Sequence, residues 1–202
     1  MRTMAGRDGA LARKQPWRTV ESQAIDIGGV RLVVRHLESD GEAEICARIM
    51  ATNEPWVTLR RSYDAALEIV RDPRREVYVA ANGETNEIVG FLILDMRGAF
   101  VGYIQSVAVR EDWRGRGLGT QLIAFAEARI FRDAPNAFIL VSSFNERARA
   151  LYLRLGYEIV GELRDFIVRD HSEWLLRKSV SPLSDWTTPR APLAFDPRRA
   201  SQ

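Results

Sequence analysis

The period of the hydrophobic positions changes several times along the first half of the chain, and each change marks a predicted element. Three segments have the β-branched, apolar composition of strands: VRLVVRHL (30–37), EVYVAAN (76–82) and EIVGFLILDM (87–96). Two segments, 40–51 and 62–73, have the apolar spacing of helices, and Pro73 ends the second. A helix pair is therefore expected between the first strand and the next two.

The second half of the chain alternates strands with helices. The predicted elements are a strand at 100–109, an amphipathic helix at 118–133, a strand at 136–143, a helix at 145–156 and strands at 157–168 and 172–179. The order is thus β α α β β β α β α β β. The strands on either side of the third helix should be parallel, because a helix connects them, and the others antiparallel. We predict an α+β fold with a mixed, mostly antiparallel central sheet flanked by helices.

The two ends of the chain lack this periodicity. Residues 1–22 are polar and basic, and residues 181–202 contain four prolines. Both compositions are typical of disordered tails. Residues 23–180 are then expected to form one domain, in keeping with a chain of 202 residues.

Charge and composition narrow the possible partners. Residues 1–20 carry five basic side chains and one acid, and residues 181–202 carry three and two. The formal net charge of +2 therefore leaves about −3 on the central region, whereas a nucleic-acid-binding domain is usually basic. No apolar run reaches 18 residues, so we expect no membrane span. The sequence thus predicts neither nucleic acid nor membrane as a partner.

Cysteine and histidine usage bears on compartment and metal. Cys46 is the only cysteine, so no intramolecular disulfide can form, and a cytoplasmic location is expected. The N-terminus has no apolar core of the kind found in secretory signals. No cluster of histidine, cysteine and aspartate has metal-ligand spacing, so no metal is predicted.

The segment RGRGLG (114–119) places three glycines at the start of the third predicted helix. The first amides of a helix have no partner within it, and the helix dipole favours anions there. Glycine allows close approach of a ligand, and Arg114 and Arg116 add charge that suits phosphate oxygens. These residues alone leave two interpretations open, an anion site and a glycine-rich turn with solvated arginines.

Spacing excludes two common phosphate-binding loops. The dinucleotide pattern G-x-G-x-x-G fails because the sixth position counted from Gly115 is Thr120. The P-loop needs a lysine after its second glycine, and neither of the two lysines of the chain lies near this segment. The segment instead fits R-x-x-G-x-G, as Arg114, Gly117 and Gly119.

Two longer segments carry a resemblance to a known family. SVAVREDWRGRGLGTQLI, followed by NERARALYLRLGYE, resembles the acyl-CoA-binding motif A and the motif B of the GNAT N-acetyltransferases. The predicted element order is also that of the family, so the resemblance covers roughly residues 30–180. Within the family, the chain is similar to the type that acetylates ribosomal proteins and protein N-termini. It implies acetyl-CoA as cosubstrate and a parallel strand pair that splays beside it.

The resemblance also implies which residues hold acetyl-CoA. Its pyrophosphate would bind the loop formed by Arg114, Gly115, Arg116, Gly117, Leu118, Gly119 and Thr120. The strand before the loop would bulge and offer backbone groups of Val107, Ala108 and Val109 to the pantetheine arm. The amide of Val107 would face the thioester carbonyl, and one such donor typically lowers a barrier by about 3 kcal/mol.

Asn145 and Tyr152 form the N-x₆-Y pairing found in similar acetyltransferases. The resemblance implies that Asn145 lies near the pantetheine and that Tyr152 protonates the leaving thiolate, since a phenol is protonated at neutral pH. Asn145 could also be a helix N-cap, which is compatible with that contact. Tyr152 could instead be a core aromatic.

The general base and the acceptor pocket are less defined. Some relatives carry a glutamate or histidine five residues before the asparagine, where this chain has Leu140. Tyr103, four residues before Val107, could take the proton through a water, form the pocket wall or simply pack. Glu54 and Trp56 lie between the first two helices, a connection that borders the acceptor in this family. Glu54 could equally be a solvated loop charge, and Trp56 either a pocket lid or a packing residue.

The sequence therefore predicts an acyl-CoA-dependent N-acyltransferase in which an amine attacks the thioester of acetyl-CoA directly. The acceptor could be a protein N-terminus, a lysine or a small-molecule amine. The alternative is a non-catalytic acyl-CoA-binding module with a protein partner. The presence of Tyr152 argues against this alternative, and the missing base at Leu140 argues for it. Acyl chain length and oligomeric state stay open.

Overall fold

Eight strands form one mixed sheet in the computed structural model, which describes residues 22–187. The strands are β1 (Gln23–Ile27), β2 (Val30–His36), β3 (Glu76–Asn82), β4 (Ile88–Asp95), β5 (Tyr103–Val109), β6 (Asn136–Ser142), β7 (Glu158–Arg164) and β8 (Ser172–Ser179). The helices are α1 (Asp40–Thr52), α2 (Tyr63–Arg71), α3 (Leu118–Ile130) and α4 (Glu146–Arg154), with short 3₁₀ helices at Glu111–Trp113 and Leu183–Asp185. The strand order is β1-β2-β3-β4-β5-β6-β8-β7.

All neighbouring strands are antiparallel except β5 and β6. This parallel pair is connected by α3, as the sequence predicts. It is paired at only two positions, Tyr103 with Phe138 and Ile104 with Ile139. The predicted α+β fold with one short parallel pair in a mostly antiparallel sheet is thus confirmed.

A bulge in β5 accompanies the splay. Ile93 of β4 pairs with Ser106 and Leu94 pairs with Ile104, so Gln105 is an extra residue on β5. A bulge of this kind bends the strand that carries it. The pairing with β6 ends at Ile104, which leaves a gap between the two strands beside the rest of β5.

Strand β1 is absent from the elements predicted from the sequence. Its five residues QAIDI pair with β2 across a turn at Gly28 and Gly29, whose φ angles are +63° and +84°. Two consecutive residues with positive φ suit a tight hairpin, and glycine adopts them without steric cost. Ile25 and Ile27 are buried, so this short strand belongs to the domain core.

Two predicted strands are shorter than expected. The strand predicted at 100–109 begins at Tyr103, because Gly102 has a φ of +90° and a Cβ there would lie 2.4 Å from the carbonyl oxygen of Asn136. The strand predicted at 157–168 ends at Arg164, because the chain turns at Asp165, whose φ is +51°.

Two apolar clusters fill the space between the sheet and its helices. One contains residues of α1 and α2 with Phe91 and Ile93, and Cys46 is fully buried in it. The other contains residues of α3 and α4 with Leu92 and Leu94. Because alternate residues of β4 enter different clusters, the helices cover both faces of the sheet.

The two predicted tails fall largely outside the described residues, which exclude 1–21 and 188–202. The part of the second tail that is described contains the 3₁₀ helix Leu183–Asp185. Within residues 22–187, none of the helices has the length and apolarity needed to cross a membrane.

Candidate active site

The N-terminus of α3 presents backbone amides to a cleft. Gly117 is the N-cap residue in the left-handed conformation, with φ +88°, and offers no side-chain cap to the helix. A Cβ at Gly117 would meet nothing within 4 Å, so the space above it is open. Gly115 also has a positive φ, +77°. The amides of the first turn are therefore available to an anion.

A cavity of about 500 Å³ lies beside this helix terminus, between β5, α3 and α4. Its wall contains most of the residues predicted to bind the cofactor: Val107, Ala108, Val109, Arg114, Gly115, Gly117, Leu118, Gly119, Thr120, Asn145 and Tyr152. Arg116 does not line the cavity, and its guanidinium carbon lies 5.1 Å from the centre of the Trp113 ring. The cavity thus brings together two segments that are distant in sequence.

The backbone of β5 faces this cavity through Val107 and Val109. The amide of Arg110 donates to the carbonyl oxygen of Val89 on β4 at 2.9 Å. In an antiparallel ladder the residues alternate, so the amides and carbonyls of Val109 and Val107 point away from β4, toward the gap beside β6. The carbonyl oxygen of Val109 accepts a hydrogen bond from Nε of Arg114 at 3.2 Å.

The cavity wall also contains two arginines of α4 that the sequence analysis did not single out, Arg147 and Arg154. Arg147 Nη2 lies 4.0 Å from the position that a Cβ of Gly115 would occupy. Arg147, Leu151 and Arg154 have the i, i+4, i+7 spacing of one helix face. That spacing could have indicated from the sequence that both arginines face the same side as Leu151. Together with Arg114, they make this cavity basic.

A smaller cavity of about 120 Å³ adjoins the first. The two cavities share Pro55, Trp56, Val107, Asn145 and Tyr152 in their walls. Tyr103, Gln105, Ser142 and Glu173 line only the smaller one, and Ile167 of the β7–β8 hairpin borders it. The site is therefore a long basic cleft that joins a small chamber at Val107 and Tyr152.

Asn145 and Tyr152 lie at this junction. The side-chain oxygen of Asn145 accepts a hydrogen bond from the amide of Ala148 at 3.2 Å, which caps α4. Tyr152 is 8% exposed, and burial, followed by the charge of Tyr103, raises the pKa of its phenol. The Tyr152 hydroxyl therefore stays protonated at neutral pH and can act as a proton donor.

Tyr103 lies on the wall of the smaller chamber. Burial and the negative charge of Glu173 raise the pKa of Tyr103 to about 12, while Arg75 and Arg61 oppose the shift. The phenol is thus neutral at physiological pH, where it donates a hydrogen bond more readily than it accepts a proton.

Glu54 and Trp56 lie on the connection between α1 and α2. Glu54 is exposed, borders the larger cavity, and accepts hydrogen bonds from the amide and hydroxyl of Thr58 at 3.2 and 3.0 Å. Trp56 is buried, lines both cavities and stacks against Phe91 with ring centres 6.4 Å apart. Trp56 therefore both packs in the core and bounds the site.

Sequence reasoning missed Glu173 as a residue of the site. Glu173 lies on β8, far from both recognised motifs, and its Oε1 accepts a hydrogen bond from the hydroxyl of Ser142 at 2.8 Å. The sequence SEWLLRKS around Glu173 is typical of an ordinary strand. Only the pairing of β8 with β6 places the Glu173 carboxylate in the chamber.

A sequence profile of the acetyltransferase (GNAT) family matches residues 35–157, more than half of the chain. The matched region contains α3, its loop and the residues that line the larger cavity. The chain belongs to the GNAT acetyltransferase family. The expectation drawn from the two motifs is thereby confirmed.

Among curated GNAT relatives, the aminoglycoside 2′-N-acetyltransferase of Mycolicibacterium fortuitum is 43% identical over 56 residues. That match spans 28% of this chain and 27% of the relative, so it covers only about a quarter of that enzyme. The blasticidin-S acetyltransferase of Streptomyces morookaense is 32% identical over 92 residues, which is 45% of this chain and 67% of the relative.

Solved structures share the GNAT fold. The spermidine N-acetyltransferase of Vibrio cholerae in complex with CoA and spermine has a TM-score of 0.58 and 19% identity, covering 73% of this chain and 95% of that one. At that identity the likeness concerns the fold. Within the described part of this chain, no group of three or more His, Cys, Asp or Glu residues could hold a metal ion.

Proposed function

We propose that this GNAT protein transfers the acetyl group of acetyl-CoA to an amine by direct attack on the thioester. The observation that carries the proposal is the meeting of two cavities at Val107 and Tyr152. A long basic cleft suits the phosphorylated carrier, and a small chamber suits the acceptor. The buried phenol lies where they join.

The cleft has the chemistry that a CoA pyrophosphate requires. Uncapped amides at the start of α3 and the positive end of its dipole attract phosphate oxygens. Arg114, Arg147 and Arg154 add positive charge along the wall. The backbone groups of Val107 and Val109, which point away from β4, can bind the amides of the pantetheine arm as a neighbouring strand would, with Arg114 moving off the carbonyl of Val109.

The residues at the junction have distinct roles in this reaction. Bound acetyl-CoA would supply the activated carbonyl. The amide of Val107 points into the cleft and would donate to the carbonyl oxygen as its negative charge grows. Tyr152 would donate its proton to the leaving thiolate, and Trp56 would bound the space in which the amine approaches.

The acceptor is an amine that can reach a chamber of about 120 Å³. The curated relatives are named for an aminoglycoside and for blasticidin S, and one related structure contains spermine. A small-molecule amine or the end of a peptide would fit such a chamber through its terminal atoms alone. We place the activity in the cytoplasm, because the lone Cys46 is a buried free thiol.

An acceptor panel tests this function. The full chain is incubated with acetyl-CoA and, separately, with aminoglycosides, blasticidin S, spermine and a peptide with a free N-terminus, and the release of free CoA is followed. We expect acceptor-dependent release with at least one amine, and acetylated product by mass spectrometry. A chain that binds acetyl-CoA but acetylates none of these classes would favour the non-catalytic alternative.

A further inference from the structure

Glu173 is a buried carboxylate in the wall of the acceptor chamber. Its exposed fraction is 2%, and it pairs with Ser142 of β6 on one side and Leu163 of β7 on the other. Among the described residues that line the chamber, Glu173 is the only carboxylate, and none is a histidine. A charge so deeply buried is costly unless it has a partner or a function.

The groups around Glu173 leave it able to accept a proton. The hydroxyl of Ser142 donates to its Oε1 at 2.8 Å, and no hydrogen bond to Oε2 is present within residues 22–187. The titratable and charged groups around it are Tyr103 on β5, Tyr152 on α4 and Arg61 before α2, which line the same chamber, and His171 directly before β8. None of these forms an ion pair with Glu173 within the described residues.

The balance of these effects raises the pKa of the Glu173 carboxyl toward neutral pH. Burial raises the pKa of its carboxyl, while the hydrogen bond from Ser142 and the charge of His171 oppose the rise. A general base works best when its pKa lies near the working pH, because it is then both deprotonated and basic enough. An exposed glutamate, whose pKa is not raised by burial, would be a weaker base.

We propose that the carboxylate of Glu173 is the general base that takes a proton from the ammonium group of the acceptor in this chamber. The proposal rests on the transferase function above and deepens it. Leu140, where some relatives have a base, offers no proton acceptor, and Tyr103 is a protonated phenol. Glu173 reaches the same space from β8, on the other side of β6 from β5.

The proton and electron changes balance. Glu173 takes one proton from the ammonium group, and the freed electron pair of the amine forms a C–N bond with the thioester carbonyl carbon. The C–S bond then breaks, and the thiolate takes the phenolic proton of Tyr152. The second proton of the new amide nitrogen restores Tyr152 through water. Glu173 releases its proton to solvent as the product leaves.

Glu173→Gln tests the proposal, because glutamine keeps the shape and can still accept a hydrogen bond from Ser142. With an amine that the wild type acetylates in the panel, kcat/KM at pH 7 should fall by about 10²-fold. The acidic limb of the pH profile should move to the pKa of the acceptor amine itself, which is near 8 for a peptide N-terminus and above 10 for a lysine-like amine. Activity should approach the wild-type value once the amine is neutral in solution.

Two controls separate this role from a structural one. Glu162→Gln removes an exposed carboxylate on the neighbouring β7 and should leave the profile unchanged. The affinity of Glu173→Gln for acetyl-CoA, measured by calorimetry, should equal that of the wild type. Unchanged turnover and pH profile in Glu173→Gln, or a loss that high pH does not rescue, would overturn the proposal while leaving the transferase function intact. A wild type that acetylates no amine would overturn both.

Discussion

At the scale of single residues, the proposed mechanism assigns protonation of the leaving thiolate to Tyr152. Tyr152 lines both cavities, and burial keeps its phenol protonated by raising its pKa. Tyr152→Phe retains the ring and its contact with Tyr157, whose ring centre lies 6.0 Å away. We expect kcat to fall by about 10²-fold, the scale expected for a positioned acid, with little change in acetyl-CoA affinity.

Tyr103→Phe is the matched comparison. Tyr103 lies in the same chamber but, as a neutral phenol, would contact the acceptor without supplying or taking the transferred proton. Loss of the Tyr103 hydroxyl should raise the acceptor KM and leave kcat nearly unchanged. This is the pattern of a group that binds the ground state and the transition state equally. Steady-state kinetics with both variants distinguish the roles. Full kcat in both variants would show that neither phenol is the acid, and equal kcat losses would contradict the distinct roles assigned to them.

At the scale of elements, the bulge of β5 and the end of its pairing with β6 create the cleft, and α3 and α4 supply its polar wall. Helix α4 contributes Asn145 as its cap and Tyr152 toward the junction, while Arg147 projects beside Gly115. One helix would thus contact both the thioester and the pyrophosphate of acetyl-CoA in the proposed binding mode.

Arg147→Gln tests the contribution of α4 to phosphate binding. Removal of one charge that faces a phosphate should raise the Kd for acetyl-CoA by about threefold to tenfold, and the difference should shrink at high salt. Arg149→Gln is the control, because the Arg149 guanidinium lies over the Trp174 ring at 5.9 Å and outside the cleft wall. Equal affinity losses in both variants would argue for a general charge effect on the helix.

At the scale of the whole molecule, a buried ion pair joins the sheet to α3. Arg129 on α3 donates to both carboxylate oxygens of Glu76 on β3 at 2.8 and 2.6 Å, and Tyr78 donates to the same carboxylate at 2.8 Å. Both charged side chains are 5% exposed. Removal of Arg129 would leave the buried carboxylate of Glu76 without its cationic partner and with the Tyr78 hydroxyl as its remaining donor, whereas Arg129 itself also pairs with Asp133 at 2.5 Å.

Arg129→Met should therefore destabilise the domain by about 3–5 kcal/mol, measured by denaturant unfolding. Replacement of both partners, Arg129→Met with Glu76→Gln, should cost less than the sum of the single changes, because no unpaired charge remains. Arg164→Ala at the exposed pair with Glu162 should leave the unfolding midpoint nearly unchanged. A single Arg129→Met with wild-type stability would show that the pair contributes little.

The sequence predicts the framework of this fold better than its site. The bounds of β3 follow from an apolar segment with β-branched valines, and the family motifs indicate α3 and its loop. β1 was missed because five residues carry little periodicity before they pair. Glu173 was missed because burial of a strand carboxylate is decided by long-range pairing with β6, which no local pattern reveals.

Calorimetric titration of the full chain with acetyl-CoA tests the central claim, that the bare amides at the start of α3 hold this cosubstrate. We predict saturable binding by the wild type and a Kd at least tenfold higher, or about 1.4 kcal/mol, in a folded Gly117→Val variant, whose side chain would occupy the open space above the amides. Gly161→Val, on the edge strand β7 away from the cleft, should bind as the wild type does. No binding by the wild type, or unchanged affinity in folded Gly117→Val, would contradict the account.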